Sequence, residues 1–446
     1  MKVIVIGAGL GGLACAIACR REGLDVLIVE RAPEILPIGS GIQVSSNASR
    51  VAGHLEILPA LMNKAIQPEA LQVRRYDNGK ILHVREGLDK MVAKYGSPWF
   101  VIHRADYHEI MLDEAKRLGV EIRLGCNVES LDFGHTEVVL DNGEKLNADV
   151  IVGADGLWST TRETLLERPS PPHETGDLAY RATLTRQQML ELNEPRATEW
   201  CGREVVNVWF GPEKHCIIYP IRGGETFNMV LTRPDDLPAG VRTAQGSLEE
   251  MKKSFEGWDY LLTKMLSKVD SVLKWKLCHH EELEKWVRGS VVLLGDACHP
   301  TLPYQGQGAA MAVEDGATLG RLLGLLNSHQ KALGSSVENI REILNLYERL
   351  RKSRTTMNVR GAAENKFWYH LSDGPMQERR DRALAGTSDD TDWCWVKETY
   401  SRELLGFDAV EDGEQAFYSW LEQKTKTVPK EERKNDVFVG TIALEI

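Results

Sequence analysis

Short apolar runs and helical stretches alternate along the first 360 residues of this chain. Residues 2–6 (KVIVI) form a β-branched run, residues 11–23 carry a helical pattern that stops at Gly23, and residues 25–30 (DVLIVE) form a second apolar run. Strand, helix and buried strand in that order predict a βαβ unit and a parallel sheet. Residues 105–118 read as a helix, and 120–124 and 136–140 as strands, with a turn at Asp141-Asn142-Gly143. Val150-Ile151-Val152 is a further buried strand, so the sheet resumes after an excursion. From about residue 178 to 232 the pattern changes. Segments such as VVNVWF and HCIIYPI alternate between Gly-rich turns such as Gly223-Gly224, which predicts an antiparallel sheet forming a wall. Residues 248–273 turn helical, Val291–Leu294 is another short buried strand, and 308–326 read as a helix packed on it. Helical patterning from 338 to about 372 leads into a charged tail containing tryptophans.

Composition narrows this picture. A chain of 446 residues with 42% hydrophobic residues supports two or more packed modules. A formal net charge of −11 without a basic block argues against nucleic acid and for a small-molecule partner. No apolar run reaches the roughly 18 residues of a membrane span, because Gly7, Gly9, Gly11 and Gly12 interrupt the N-terminal run. A signal peptide is disfavoured as well, and a cytoplasmic protein, monomer or homodimer, is expected. The eight cysteines show no C-x-x-C pair and no zinc-like His spacing, so reduced thiols and no metal site are expected.

Three segments carry candidate chemistry. Gly7-Ala8-Gly9-Leu10-Gly11-Gly12 stands between a strand and a helix, with Glu30 at the end of the next strand. Such glycines permit a tight turn and close approach to a pyrophosphate, which the helix N-terminus stabilises, while Glu30 is placed for ribose hydroxyls. The string alone does not separate NAD from FAD. The second segment runs from the buried strand into Gly153-Ala154-Asp155-Gly156, followed by Ser159 and Arg162. It puts a carboxylate and free amides where open α/β sheets bind ligands; in isolation it also reads as a plain Asp-Gly turn. The third runs from Val291 through Gly295-Asp296 to Pro303-Tyr304-Gln305-Gly306-Gln307-Gly308-Ala309 and into a helix bearing Glu314-Asp315-Gly316. Asp296 is placed to accept from a ribityl hydroxyl, Gly306 and Gly308 let backbone approach a flat ring, and the helix aims its positive end at an anionic flavin edge.

In this order the three segments resemble the class A flavoprotein monooxygenases, and among them the salicylate hydroxylase-like branch, over roughly residues 1–360. Gly39-Ser40-Gly41-Ile42-Gln43 with Asn47, and His103-Arg104-Ala105-Asp106, support the resemblance. It implies an α/β fold with a discontinuous Rossmann-type FAD-binding domain (1–75, 100–175 and 288–360), an antiparallel β-sheet substrate domain (76–99 and 176–287) and a C-terminal helical region (361–446). It also implies non-covalent FAD, NADH or NADPH as co-substrate, and oxygen delivered from a C4a-hydroperoxide to an electron-rich ring, decarboxylative hydroxylation included. The cofactor side comprises Gly7, Gly9, Gly11, Gly12, Glu30, Arg31, Gly41, Gln43, Arg104, Val128, Asp155, Gly156, Asp296, Gly306, Gly308 and Ala309.

Substrate-side residues are expected on the antiparallel wall. His215 and Tyr219, four apart on a strand, point to one face, and either is placed to orient or deprotonate a phenol. The bland reading makes both packing residues. Arg181 matches a family position near the substrate and pairs there with a phenolate or carboxylate; the alternative is a surface ion pair. Arg222 is a weaker candidate in a turn, His299 is expected to be structural, and Trp393-Cys394-Trp395 to be packing. An aromatic hydroxylase is the leading function. An FAD epoxidase or indole oxidase is the alternative within enzymes, and a non-catalytic flavin-binding protein the alternative outside them.

Overall fold

The apolar runs become a six-stranded sheet because each is too short to bury itself and finds its neighbours in parallel register. In the computed structural model, which describes residues 1–36, 39–334, 336–387 and 391–427, Lys2–Ile6 lies between Asp25–Val29 and Val150–Gly153. Val291–Leu293 extends the sheet beyond Val150–Gly153, and Glu121–Arg123 extends it on the other side. All five strands are parallel, with Val287–Arg288 as an antiparallel edge. The excursion is a small sheet of Val128–Asp132, Glu137–Leu140 and Lys145–Asn147.

The helices Leu10–Arg21 and Gly308–Ser328 cross on this sheet with almost no side chain between them. A Cβ on Gly316 would stand 2.6 Å from the Gly11 carbonyl oxygen, and one on Gly320 would stand 2.4 Å from the Ala18 Cβ. Glycines at these positions let the backbones touch. The first and third sequence segments are thereby locked together at the base of the sheet.

The wall is an eight-stranded sheet, antiparallel except where Ala70–Arg75 pairs in parallel with Val205–Gly211. Its centre is formed by His173–Thr185, Thr226–Pro234, Lys214–Ile221 and Val205–Gly211. One face packs on the helices Leu248–Ser254 and Tyr260–Ser267; the other faces the first domain and the C-terminal helices. Two expectations change here. Ala70–Arg75 belongs to this sheet, so we place the first domain boundary before Ala70 rather than after residue 75. The helical stretch expected over 248–273 is two helices followed by the strand Leu273–His279. The break falls at Gly257, whose φ of +77° is left-handed, and Asp259 starts the second helix by accepting from Leu261 N (3.2 Å) and from Trp209 Nε1 (3.0 Å).

The helix Val337–Tyr369 runs back across both units, followed by Pro375–Leu384, Glu398–Leu405 and Ala409–Thr427. Trp393 is fully buried and stacked between Trp368 and Trp395, so the W-C-W segment is packing, as expected. The last part of the expected C-terminal region, 428–446, lies outside the described residues. All eight cysteines are free, and five of them are buried. Among the described residues no helix is long and apolar enough to cross a membrane.

Candidate functional site

The three chemistry-bearing segments meet because their strands are neighbours. Val291–Leu293, Val150–Gly153, Lys2–Ile6 and Asp25–Val29 lie side by side, so Asp296, Asp155-Gly156, the glycine loop and Glu30 all leave the sheet at the same carboxyl edge. Backbone bonds stitch the exits together: Gly7 N donates to Val29 O (2.8 Å), Ala154 N to Ile6 O (2.8 Å) and Leu294 N to Gly153 O (3.0 Å).

Each glycine of the first segment has its own reason. Gly7 has a φ of +107°, and a Cβ there would meet the Ala154 carbonyl oxygen at 2.5 Å. A Cβ on Gly12 would meet the Gly7 carbonyl oxygen at 2.1 Å. Gly9 differs: no protein atom lies within 4 Å of the position a Cβ would take, so its surface is left open to a ligand. The helix that begins there has no side-chain cap, and neither does the helix beginning at Gly308. Two uncapped helix N-termini present unsatisfied N–H groups and positive dipole ends, as an anionic cofactor requires.

Glu30 sits at the loop, its carboxylate accepting from Ala8 N (2.8 Å) and Ala32 N (2.9 Å). Arg31 beside it is exposed, and the segment leading to Val128 is tied in through Cys126 N donating to Glu30 O (2.9 Å). The Asp155 carboxylate is already engaged. It accepts from Ser159 Oγ (2.6 Å) and Thr161 N (3.0 Å), bonds that organise the start of the helix Thr160–Leu166, while Gly156 remains open beside it. Asp296 is closely surrounded by protein and yet has an exposed side chain, so it stands in a concave cleft. Desolvation raises its pKa, and the attraction of His299 and Arg104 offsets part of that rise. Gly41 and Gln43 lie on the strand Gly41–Val44, paired with Phe100–His103, so that Arg104 follows directly on its partner. A Cβ on Gly306 would stand 3.2 Å from Gln43 Oε1, which brings the third segment against this two-stranded ribbon, with Gly308 and Ala309 opening the helix behind it.

The wall closes over this two-stranded ribbon. Gly41 N donates to Asn228 Oδ1 (2.8 Å), and a Cβ on Gly41 would lie 2.5 Å from the Tyr219 ring. The registers pair Tyr219 with Asn228, His215 with Thr232 and Arg181 with Val230. His215, Tyr219 and Arg181 therefore share the face turned to the first domain. Arg181 is half-buried, with its Nε enclosed and unpartnered, and it makes no hydrogen bond or ion pair among the described residues; its guanidinium lies over the Trp275 ring at 5.4 Å. Desolvation lowers its pKa, which nearby Tyr219 partly counters. The surface ion pair considered for Arg181 is thus not formed, whereas Arg222 does pair with Asp106 (3.6 Å) at a half-exposed turn.

Several of the partners these residues find gave no sequence signal, among them His108, His370, Arg351 and Arg354. His108 meets the Ala8 carbonyl of the glycine loop through Nε2 (2.7 Å). His215 bonds through Nδ1 to His370 Nε2 (2.8 Å). Beneath the third segment, Glu314 and Asp315 bond to Arg351 at 2.6 and 2.7 Å, Glu314 also to Arg354 (2.8 Å) and Asn47 (2.7 Å), and Asp315 to His299 (2.5 Å) and Gly295 N (2.9 Å). His299 is structural, as expected.

These residues fit a flavin dinucleotide: open backbone at Gly9 and Gly156, two uncapped helix ends, and a cleft carboxylate. Gly12→Ala is accordingly expected to yield protein without bound flavin, read from the visible absorption of the purified protein. A yellow, fully loaded Gly12→Ala protein overturns this placement.

Comparison with known proteins agrees. The family model described as "FAD binding domain" matches residues 1–354. The chain is 40% identical to the FAD-dependent monooxygenase OpS4 of Beauveria bassiana (strain ARSEF 2860), over 92% of this chain and 96% of that protein. It is 30% identical to 3-hydroxybenzoate 6-hydroxylase 1 of Aquipseudomonas alcaligenes, over 91% and 98%. Its fold matches a salicylate hydroxylase substrate complex with a TM-score of 0.76, at 22% identity and over 93% and 98% of the two chains. A Rossmann-type sheet with its glycine loop, Gly-Asp segment and covering wall in this arrangement, matched along 354 residues, makes this chain an FAD-dependent enzyme of the FAD-binding-domain family, to which FAD-dependent monooxygenases of aromatic compounds belong.

Proposed function

We propose that the protein hydroxylates a phenolic aromatic acid, with NADH or NADPH as reductant and O2 as the oxygen source. The observation that carries this reading is Arg181, a half-buried cation with an enclosed, unpartnered Nε and no counter-ion among the described residues, on the face that covers the cofactor cleft. Enclosing a charge costs several kcal/mol unless a partner meets it. A substrate carboxylate supplies that partner, and the 30% identical relative is named for a hydroxybenzoate.

When bound and reduced, FAD supplies the activation of O2 for electrophilic transfer. The chain does the rest. Gly9, Gly156 and the two helix ends would hold the pyrophosphate and flavin edge, and Glu30 and Asp296 would accept from sugar and ribityl hydroxyls. Arg181 fixes the ring by its anionic group. Burial pushes the pKa of Tyr219 up and that of His215 well down, so at neutral pH the phenol keeps its proton and the imidazole has a free nitrogen. Tyr219 is a donor and His215 an acceptor, the combination that orients a substrate hydroxyl and takes its proton. The wall excludes water while oxygen is transferred.

A panel of hydroxybenzoates and the matching phenols, assayed for substrate-stimulated NAD(P)H oxidation with incorporation of labelled O2, tests the reading. Hydroxybenzoates are expected to turn over best. Arg181→Ala is expected to raise their KM about 10- to 100-fold, the equivalent of one charge-assisted hydrogen bond, with a smaller effect on kcat and none on FAD content. Equal turnover of phenols and hydroxybenzoates, together with an unchanged KM in Arg181→Ala, overturns it.

A further inference from the structure

His215 is almost completely enclosed by ring systems, and one of them is a second imidazole. Tyr304 lies 5.1 Å from its ring centroid, Tyr369 5.5 Å and His370 5.1 Å. His370 caps the C-terminal end of the helix Val337–Tyr369, beyond residues 1–354 that the family model covers. Its own N–H donates to Lys366 O (3.3 Å), and its carbonyl accepts from Glu213 N (3.0 Å), in the turn leading into the strand that carries His215. Helix end and strand are pinned together at this point, and the short His215 Nδ1···His370 Nε2 contact of 2.8 Å follows.

A hydrogen bond between two neutral imidazoles contains one N–H, so the tautomers of the two rings are interlocked. If His370 Nε2 carries the hydrogen, His215 Nδ1 accepts it and His215 Nε2 is a donor. If His215 Nδ1 carries it, His370 Nε2 accepts and His215 Nε2 presents its lone pair. Only the second arrangement leaves His215 able to take a proton from substrate.

We propose that His370 is a positioning residue for the reaction: as acceptor from His215 Nδ1–H it fixes the His215 tautomer whose Nε2 is basic. The proposal rests on His215 acting as the substrate-side acceptor. The proton balance is simple. The phenol O–H breaks, an N–H forms at His215 Nε2, and the resulting imidazolium keeps its Nδ1–H bond to neutral His370. The helix C-terminus at His370 favours positive charge there. His370 is itself neutral at pH 7, because burial brings its pKa down to about 4, with Asp177 pulling it up and Lys366 pushing it down. Tyr304 and Tyr369 complete the surroundings as uncharged phenols, their pKa values raised by burial. At most one of the two imidazoles is therefore charged at any stage.

The test uses the FAD-loaded enzyme and the hydroxybenzoate that turns over fastest in the panel. His370→Ala is expected to lower the hydroxylation kcat on the order of tenfold, a fraction of what general-base catalysis contributes, and to leave KM and FAD content near wild type. His370→Gln retains an acceptor for Nδ1–H and is expected to recover most of the loss; its melting temperature also controls for folding. In a His215→Ala background, adding His370→Ala is expected to change kcat no further, because the two act as one unit. A purely structural role predicts the same loss in both backgrounds and no rescue by glutamine, and that result overturns the proposal. Wild-type kcat in His370→Ala overturns it too. Wild-type hydroxylation by His215→Ala alone removes the role of His215 itself, and the two failures are thereby told apart.

Discussion

Glu314→Gln is expected to destabilise the protein by about 3–5 kcal/mol, the scale for removing one partner from a buried ion pair and stranding the other. Glu314 is fully buried and accepts from Arg351 (2.6 Å), from Arg354 twice (2.8 and 2.9 Å) and from Asn47 (2.7 Å). Asp315 next to it holds Arg351, His299 and the Gly295 amide. The Gly295 bond attaches the cluster to the turn that carries Asp296, so loss of affinity for FAD is expected to accompany loss of stability. Burial by itself would raise both acids, but Arg354 and Arg351 outweigh it for Glu314, and His299 and Arg351 for Asp315, so both are held down at about 2. Because their folded values lie below the unfolded ones, this stabilisation is fully present above the ordinary carboxylate range near 4 and is lost as pH falls toward 2. Glu314→Gln should therefore show a shallower acid loss than wild type. Denaturant midpoints at neutral and acid pH, with flavin release followed by fluorescence, check both points. A midpoint shift equivalent to less than about 1 kcal/mol, the range of an exposed pair, would show that the cluster is not a buried unit.

What the sequence revealed about this cluster differs from what it revealed about the cofactor loop, and the reason is distance along the chain. Gly7 through Gly12 and Glu30 belong to one local βαβ unit, whose spacing and apolar runs announce themselves. Gly295-Asp296 and Gly306–Gly308 are equally local, and the buried strands that carry the segments are readable from their β-branched runs. Glu314-Asp315 was visible as a motif, but its partners Arg351 and Arg354 are more than thirty residues on, in a helix whose pattern only announces that it is a helix. His370 is 155 residues from His215 and has no periodicity to mark it. Ala70–Arg75 escaped because its partner strand begins at Val205. Asp155 shows the opposite limit: its place at the sheet edge was legible, but not its engagement by Ser159 and Thr161, which shares the same residue preference as a ligand contact. For Arg181 the sequence left open an ion pair, which is not formed among the described residues.

His215→Ala and Tyr219→Phe are expected to slow oxygen transfer by about a hundredfold in the first case and somewhat less in the second, the range of a lost general base and of a lost orienting hydrogen bond. Neither side chain is among those placed to hold the cofactor, so FAD content should be unchanged in both. The two side chains share the wall face above Gly41, with Tyr219 directly against that glycine and His215 beside Tyr304 of the flavin segment. An electrophilic oxygen donor attacks a phenolate faster than a phenol, so delaying the proton transfer lets the activated oxygen decay instead. Hydrogen peroxide release per NAD(P)H consumed should rise accordingly. The pH dependence follows from the same geometry. Burial, with His370 next, pushes the pKa of His215 well below the ordinary imidazole value, so the base is already free at neutral pH. Wild-type kcat should hold level from pH 8 down through the ordinary imidazole value of about 6.5 and fall only below it, as His215 takes up a proton. A rate that instead drops by half near pH 6.5 would mean that the working imidazole is a solvated one. Wild-type coupling and rate in both variants would make His215 and Tyr219 packing residues, and would leave Arg181 and Asn228 as the polar groups of the wall on which to seek the site.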